Sequence, residues 1–277
     1  MKLNPACAAL ALLAVCGCGG GGSATGFKRT VDTPNPSAAV VRVEADYMNG
    51  RHVLSTGFVY DIDKGLLLAP DHGVEGAHEV HLTMSDGTPL HGLVLARAQC
   101  HDFAVIRLHP IPAGLTGLRF VNSDAVRPGD RVSALSYAVG SASANGVQIT
   151  RTTGTVAAVD AKAVLHPLLP AFSPLIAHQT PLNSRGSGSP LLNRRSQVIG
   201  INMLVGEKHG RGALAGLQYA LASNEIRKHL AELKPASNTA YSGWEHEHAC
   251  HRQMNAIAGV KGGMGTGESM PGMHMAH

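Results

Sequence analysis

Arg185-Gly186-Ser187-Gly188-Ser189-Pro190-Leu191-Leu192, followed by Val198-Ile199-Gly200-Ile201-Asn202, is the stretch on which the reading turns. It sets a serine in a run of small residues, a string that alone is ordinarily just a loop. Two segments upstream change its meaning. Leu66-Leu67-Leu68-Ala69-Pro70-Asp71-His72-Gly73-Val74 places His72 just past an apolar run. His101-Asp102-Phe103-Ala104-Val105-Ile106 places Asp102 just before one. Alone, such a histidine is a surface or core residue and such an aspartate is a turn or a cap. Together they occur in the order His, Asp, Ser, each at a strand end, where loops display side chains above a rigid scaffold. The three positions are separated by 30 and then 85 residues, so only folding can bring them together.

The rest of the chain has the same rhythm of short apolar runs and turn signals. Ala39 to Val43, Gly57 to Tyr60, Val80 to Leu82, Leu93 to Leu95 and Arg131 to Leu135 read as strands. Asp86-Gly87, Asn145-Gly146 and Pro128-Gly129-Asp130 read as turns between them. Many short strands at regular spacing predict a sandwich or barrel. One helix is predicted near the end, with Ser223 as N-cap and Ile226, Leu230 and Leu233 on one face. The composition agrees. Of 277 residues, 33 are Gly and 15 are Pro, and only 15% are charged, which argues against a coiled coil or a long helical bundle. The formal net charge of +4 is spread out with no Lys/Arg run, which disfavours nucleic acid as a partner.

With these segments in view, the chain resembles the chymotrypsin-fold (trypsin-like) serine proteases, most of all the bacterial HtrA/Deg type. Those carry a His after an apolar strand, a Ser-Asp-Leu-Ala-Val-Leu segment, and Gly-Asn-Ser-Gly-Gly-Pro-Leu before a strand with Ile-Gly-Ile-Asn. Ser55-Thr56-Gly57-Phe58-Val59 is similar to the family's Gly-Ser-Gly-Phe strand, and Gly154-Thr155-Val156 to its Gly-x-Val strand. The Ser-Gly-Ser-Pro form of the serine motif also resembles glutamyl endopeptidase relatives. The resemblance runs from about Ser37 to Leu233. It implies an all-β fold of two six-stranded antiparallel barrels with a C-terminal helix and the site in the cleft between the barrels. It also implies a serine-type endopeptidase that acts on protein or peptide substrates through an acyl-enzyme and needs no cofactor for catalysis. Ser187 is the implied nucleophile, His72 its base, and Asp102 the group that fixes the imidazole tautomer. Backbone N–H groups of Arg185 and Ser187, on either side of Gly186, are the implied oxyanion hole.

The sequence departs from the family at several points. Arg185 stands where active members have Gly, and a side chain there restricts the backbone. Gly186 replaces Asn or Asp, Ser189 replaces the second Gly, and Pro70-Asp71 replaces Thr-Asn ahead of His72. These changes leave the triad residues in place and open a second expectation, a weak or inactive protease-like envelope lipoprotein. By the resemblance, the pocket for the substrate side chain involves Pro181, Leu182, Met203, Leu204 and Val205. No Asp stands where a preference for Lys or Arg would need one, so a small or medium apolar side chain is expected there. The roughly 43 residues after Lys234 have the wrong composition for a PDZ domain.

The ends of the chain carry separate signals. Met1-Lys2-Leu3 and the apolar stretch Ala6 to Val15 read as a signal peptide over residues 1–17. Cys18, preceded by Gly17, resembles a bacterial lipoprotein processing site, which predicts a lipid anchor and a periplasmic or secreted location. Residues 18–36 read as a flexible tether, 37–234 as the protease domain and 235–277 as a disordered tail. Cys100 is expected as a buried small hydrophobe. Residues 246–277 hold five of the 16 histidines and five of the nine methionines. His246, His248, Cys250, His251, Met273, His274, Met275 and His277 form a compositional copper or zinc signal. The oligomeric state is not legible in the sequence.

Overall fold

A computed structural model describes residues 35–46, 52–98, 101–137, 148–163, 172–203 and 216–232. Cys18, Cys100, Leu204, Val205 and the His/Met-rich tail lie outside the described residues. Among the described residues no helix is long and apolar enough to cross a membrane.

Twelve strands form two closed barrels of six. The first contains β1 (Val40–Asp46), β2 (His52–Asp61), β3 (Leu66–Ala69), β4 (Glu79–Met84), β5 (Pro89–Ala98) and β6 (Phe103–His109). Its order around the barrel is β1-β2-β3-β6-β5-β4. The second contains β7 (Arg131–Tyr137), β8 (Ile149–Ala163), β9 (Phe172–His178), β10 (Pro190–Leu192), β11 (Val198–Met203) and β12 (Gln218–Ala222), ordered β10-β11-β12-β9-β8-β7. The pairings between these strands are antiparallel, as the resemblance implied.

The apolar runs are continuous rather than alternating because both faces of several strands are covered. In β3, Leu67 and Ala69 enter a core confined to the first barrel. Leu68 between them enters a second core that it shares with Phe58, Phe103, Leu135, Leu175 and Leu221. That second core therefore draws on both barrels. Each fully buried side chain of this size contributes roughly 1.5–3 kcal/mol, so apolar packing is a large part of what holds the barrels together. Tyr137 adds a polar tie, its hydroxyl lying 3.2 Å from the Val40 carbonyl and 3.0 Å from that of Thr83.

Helix α1 (Ser223–Glu232) follows β12 directly and rests on β11 and β12 through buried Ile226. It starts one residue earlier than the sequence suggests, and Ser223 is not its N-cap. The Ser223 hydroxyl donates to the Val121 carbonyl at 2.5 Å, and the Asn224 N–H donates to Ser123 Oγ at 3.1 Å. The turn at 122–125 thus takes over the capping role, which local sequence could not show.

Candidate active site

His72 sits in a short 3₁₀ turn, Asp71–Gly73, immediately after β3. Pro70 ahead of it has φ −69° and ψ 139°, an extended conformation that ends the strand and starts the turn. The imidazole Nδ1 lies 2.8 Å from each carboxylate oxygen of Asp102, and the His72 backbone N–H donates to Asp102 Oδ1 at 3.0 Å. One carboxylate thus fixes both the ring and the turn that carries it. Asp102 adopts φ +50°, a left-handed conformation that Asp tolerates better than most residues. The histidine ring is about half exposed and the aspartate is largely covered. Burial pulls the His72 pKa down, but the carboxylates of Asp102, Asp71 and Glu75 outweigh it and hold the pKa above the usual histidine value.

Behind His72 the structure reveals a partner that sequence reasoning missed. Asp71 is buried and meets Arg97 of β5 in a two-pronged ion pair, Nε to Oδ1 at 2.5 Å and Nη2 to Oδ2 at 2.8 Å. Burial pushes the Asp71 carboxyl up to about 6, against the lowering effect of Arg97. The Pro70-Asp71 departure is thereby given a purpose, since this ion pair anchors the turn that presents His72.

Ser187 lies on the loop between β9 and β10, in the second barrel. That loop is tied to the first barrel by Thr56 of β2. The Thr56 N–H donates to the Ser187 carbonyl at 3.1 Å and the Thr56 hydroxyl to the Arg185 carbonyl at 2.6 Å. The Tyr137 N–H lies 3.3 Å from the same Thr56 hydroxyl. Gly188 has φ +80°, and a Cβ on it would stand 2.2 Å from the Thr56 carbonyl oxygen and 2.3 Å from Pro70 Cδ. The serine loop therefore presses against the residues that lead into His72. Gly188→Ala is expected to destabilise the fold by at least about 2 kcal/mol through clash and positive φ together. Denaturant unfolding checks this, and an unchanged midpoint would contradict the close approach.

The Ser187 hydroxyl is buried and makes no hydrogen bond among the described residues. His72 Nε2 therefore makes no hydrogen bond to Ser187 Oγ in this structure, and the hydroxyls of Ser55, Thr152 and Thr180 are likewise buried without a partner among the described residues. Below Ser187 runs a polar chain that the sequence did not announce. Buried His178 accepts the Thr180 N–H on Nδ1 at 3.2 Å, which leaves Nε2–H to donate to Asn202 Oδ1 at 2.9 Å. Burial pushes the His178 pKa down to about 4, so the ring is neutral as that pattern requires. Asn202 donates onward to the Ser189 carbonyl and hydroxyl at 3.1 and 3.0 Å, and the Ser189 hydroxyl donates to the Gly186 carbonyl at 2.5 Å. Ser189 thus has a structural use that Gly at its position could not supply.

Arg185 fits without a positive φ. Its N–H donates to the Asn183 side-chain oxygen at 2.8 Å, while the Asn183 amide nitrogen donates to the Tyr137 carbonyl at 2.9 Å. Of the pocket residues, Pro181 is exposed, Leu182 is half-buried beside Gly186, and Met203 is part of the core shared by both barrels.

Two closed six-stranded barrels, with a His–Asp pair on one and a serine loop of the other tied against it, define the trypsin-like class of serine-hydrolase scaffold. The family model for the trypsin-like peptidase domain matches residues 55–201, more than half of the chain, and the chain belongs to that family. It is 32% identical over 171 residues to a probable periplasmic serine endoprotease, DegP-like, of Chlamydia pneumoniae. That match covers 62% of this chain and 32% of the relative. It is 27% identical over 174 residues to the periplasmic serine endoprotease DegP of Escherichia coli K12, covering 63% of this chain and 34% of the relative. This chain thus matches about a third of the length of these curated relatives. A solved HtrA-type protease, AlgW with a tripeptide, superposes with a TM-score of 0.58 at 22% identity, covering 71% of this chain and 61% of that one. The fold is therefore shared with HtrA-type proteases.

Proposed function

We propose that this chain is a serine endopeptidase that hydrolyses peptide bonds through an acyl-enzyme on Ser187. The carrying observation is that the loop bearing Ser187 is pressed, at Gly188, against Pro70 of the turn whose His72 is held by Asp102. In this reading His72 Nε2 takes the Ser187 proton as Oγ attacks the scissile carbonyl, and returns it to the leaving amine. Asp102 keeps the Nδ1–H tautomer and stabilises the imidazolium. Water then repeats the cycle on the ester, so no metal or cofactor takes part. Substrates are proteins or peptides. With no acidic residue between Thr180 and Pro190, the residue before the cleaved bond is a small or medium apolar one. The names of the relatives support export to the periplasm, and Cys18 is the proposed lipid anchor.

Full-length protein incubated with casein should release fragments, and casein left intact would overturn the reading. The pH profile offers a finer check. His72 acts as a base only when neutral, and its pKa is raised, so the acid limb of kcat/KM should lie above the ordinary histidine value of about 6.5. Asp102→Asn removes the main opposing charge, and that limb should move to lower pH as activity falls. A limb that stays in place would contradict the role given to Asp102.

One observation favours a second reading, a weakly active resting enzyme. The oxyanion site proposed here needs the Arg185 N–H, and that N–H is engaged by Asn183. Loss of one oxyanion donor typically lowers turnover by about 10²–10³. Acylation then requires the loop to release this bond first.

A further inference from the structure

Among the described residues, one group outside the catalytic constellation has the donors for a metal ion. His101, Glu225 and His229 have ligand atoms that all lie within 4.8 Å of one another. We propose that they bind a divalent cation of the zinc class, which pins α1 to the loop that carries Asp102. This site stands whether or not Ser187 acts as a nucleophile.

Glu225 and His229 are four residues apart on α1, so they share a face. His101 comes from the first barrel and immediately precedes Asp102. Its ring stacks on that of His229, with centroids 3.7 Å apart and a 39° tilt. The hydrogen bonding of His229 carries the inference further. Its Nε2 lies 2.8 Å from Glu225 Oε1 and its Nδ1 lies 3.1 Å from Glu232 Oε2. A neutral imidazole has one donor and one acceptor, so it can satisfy only one of two facing carboxylates. A cation between Nε2 and Oε1 removes the conflict. The Nδ1–H bond to Glu232 then fixes the tautomer, as outer carboxylates do for metal-bound histidines. His101 Nε2 points to the same Glu225 oxygen from 3.9 Å.

Two imidazoles and one carboxylate, with a place left for water, form a donor set suited to zinc. Bonds of about 2.0–2.2 Å put tetrahedral ligand atoms roughly 3.4 Å apart. All the ligand atoms lie within 4.8 Å of one another, so no pair has to close by more than about 1.4 Å, while the 2.8 Å pair of His229 Nε2 and Glu225 Oε1 opens by about 0.6 Å, changes that side-chain torsions can supply. Lys228 Nζ lies 3.5 Å from Glu225 Oε1 but is mostly exposed, and it can swing into solvent. The competing occupant is a proton on His229.

The test uses the full-length chain and a readout that separates this site from the histidines of the tail. Diethyl pyrocarbonate modification is mapped by mass spectrometry with and without Zn²⁺. Zinc should protect His101 and His229. Glu225→Gln should abolish that protection, and Glu232→Gln should weaken half-saturation by about 10–100-fold. Should Glu225→Gln fail to fold, His101→Asn read at His229 serves instead, with loss of protection expected. Equal modification of the wild type with and without zinc would overturn the proposal, as would protection that survives removal of a ligand. A proton as sole occupant gives the first of these outcomes.

Discussion

Ser187→Ala is expected to lower casein hydrolysis by about 10³- to 10⁶-fold while leaving the fold as stable as before, or slightly more so. The two halves of this result come from one observation. The Ser187 hydroxyl makes no hydrogen bond among the described residues, so none of these loses a partner when the hydroxyl is removed. Deleting a buried polar group that lacks a partner is neutral or stabilising. Activity depends on that oxygen as the atom that forms the ester. Casein cleavage and thermal unfolding, measured on the same preparation, separate the two. Equal cleavage by wild type and variant would remove Ser187 from the chemistry.

Arg97→Leu should destabilise the protein by about 3–5 kcal/mol, because it leaves Asp71 buried without its cation. The loss should depend on pH. Arg97 lowers the Asp71 pKa, which is about 6 when the pair is intact. Without Arg97 that pKa rises further. Below it the carboxyl folds in the neutral form, and above it the fold must bury an unpaired charge or hold a proton against the solution pH. The penalty should therefore be smaller at pH 5 than at pH 8. Asp71→Asn combined with Arg97→Leu should recover much of the stability, since no unpaired charge remains. Urea unfolding at the two pH values checks this. A pH-independent penalty would mean that Asp71 is not the group left exposed to the change.

The barrels were legible because their strands are local apolar runs bounded by turn residues, and because the resemblance supplied their number and closure. Eight of the twelve strands announce themselves in this way, among them β3, with Leu66-Leu67-Leu68. The remaining four are quieter. β10 has only three residues, too short for a pattern, and the alternation of the long β8 is interrupted by register shifts against β9. The order of His72, Asp102 and Ser187 could be read because each has a recognisable neighbourhood. Their supports could not. Asp71 finds Arg97 across 26 residues, Thr56 finds Arg185 across 129, and His178 finds Asn202 across 24, and nothing near either partner marks the pairing. His101, Glu225 and His229 were hidden for the same reason, since one belongs to a loop of the first barrel and two to the last helix. A tail rich in His and Met drew the metal reading toward composition, whereas this cluster depends on folding.

The most direct test of the central claim is labelling with a serine-directed phosphonate, which reports an activated nucleophile without requiring a known substrate. Full-length protein should gain one covalent adduct, mapped by mass spectrometry to Ser187, and His72→Ala should prevent it. Wild-type protein that acquires no adduct, or acquires it at another serine, would contradict the assignment of Ser187 as the nucleophile.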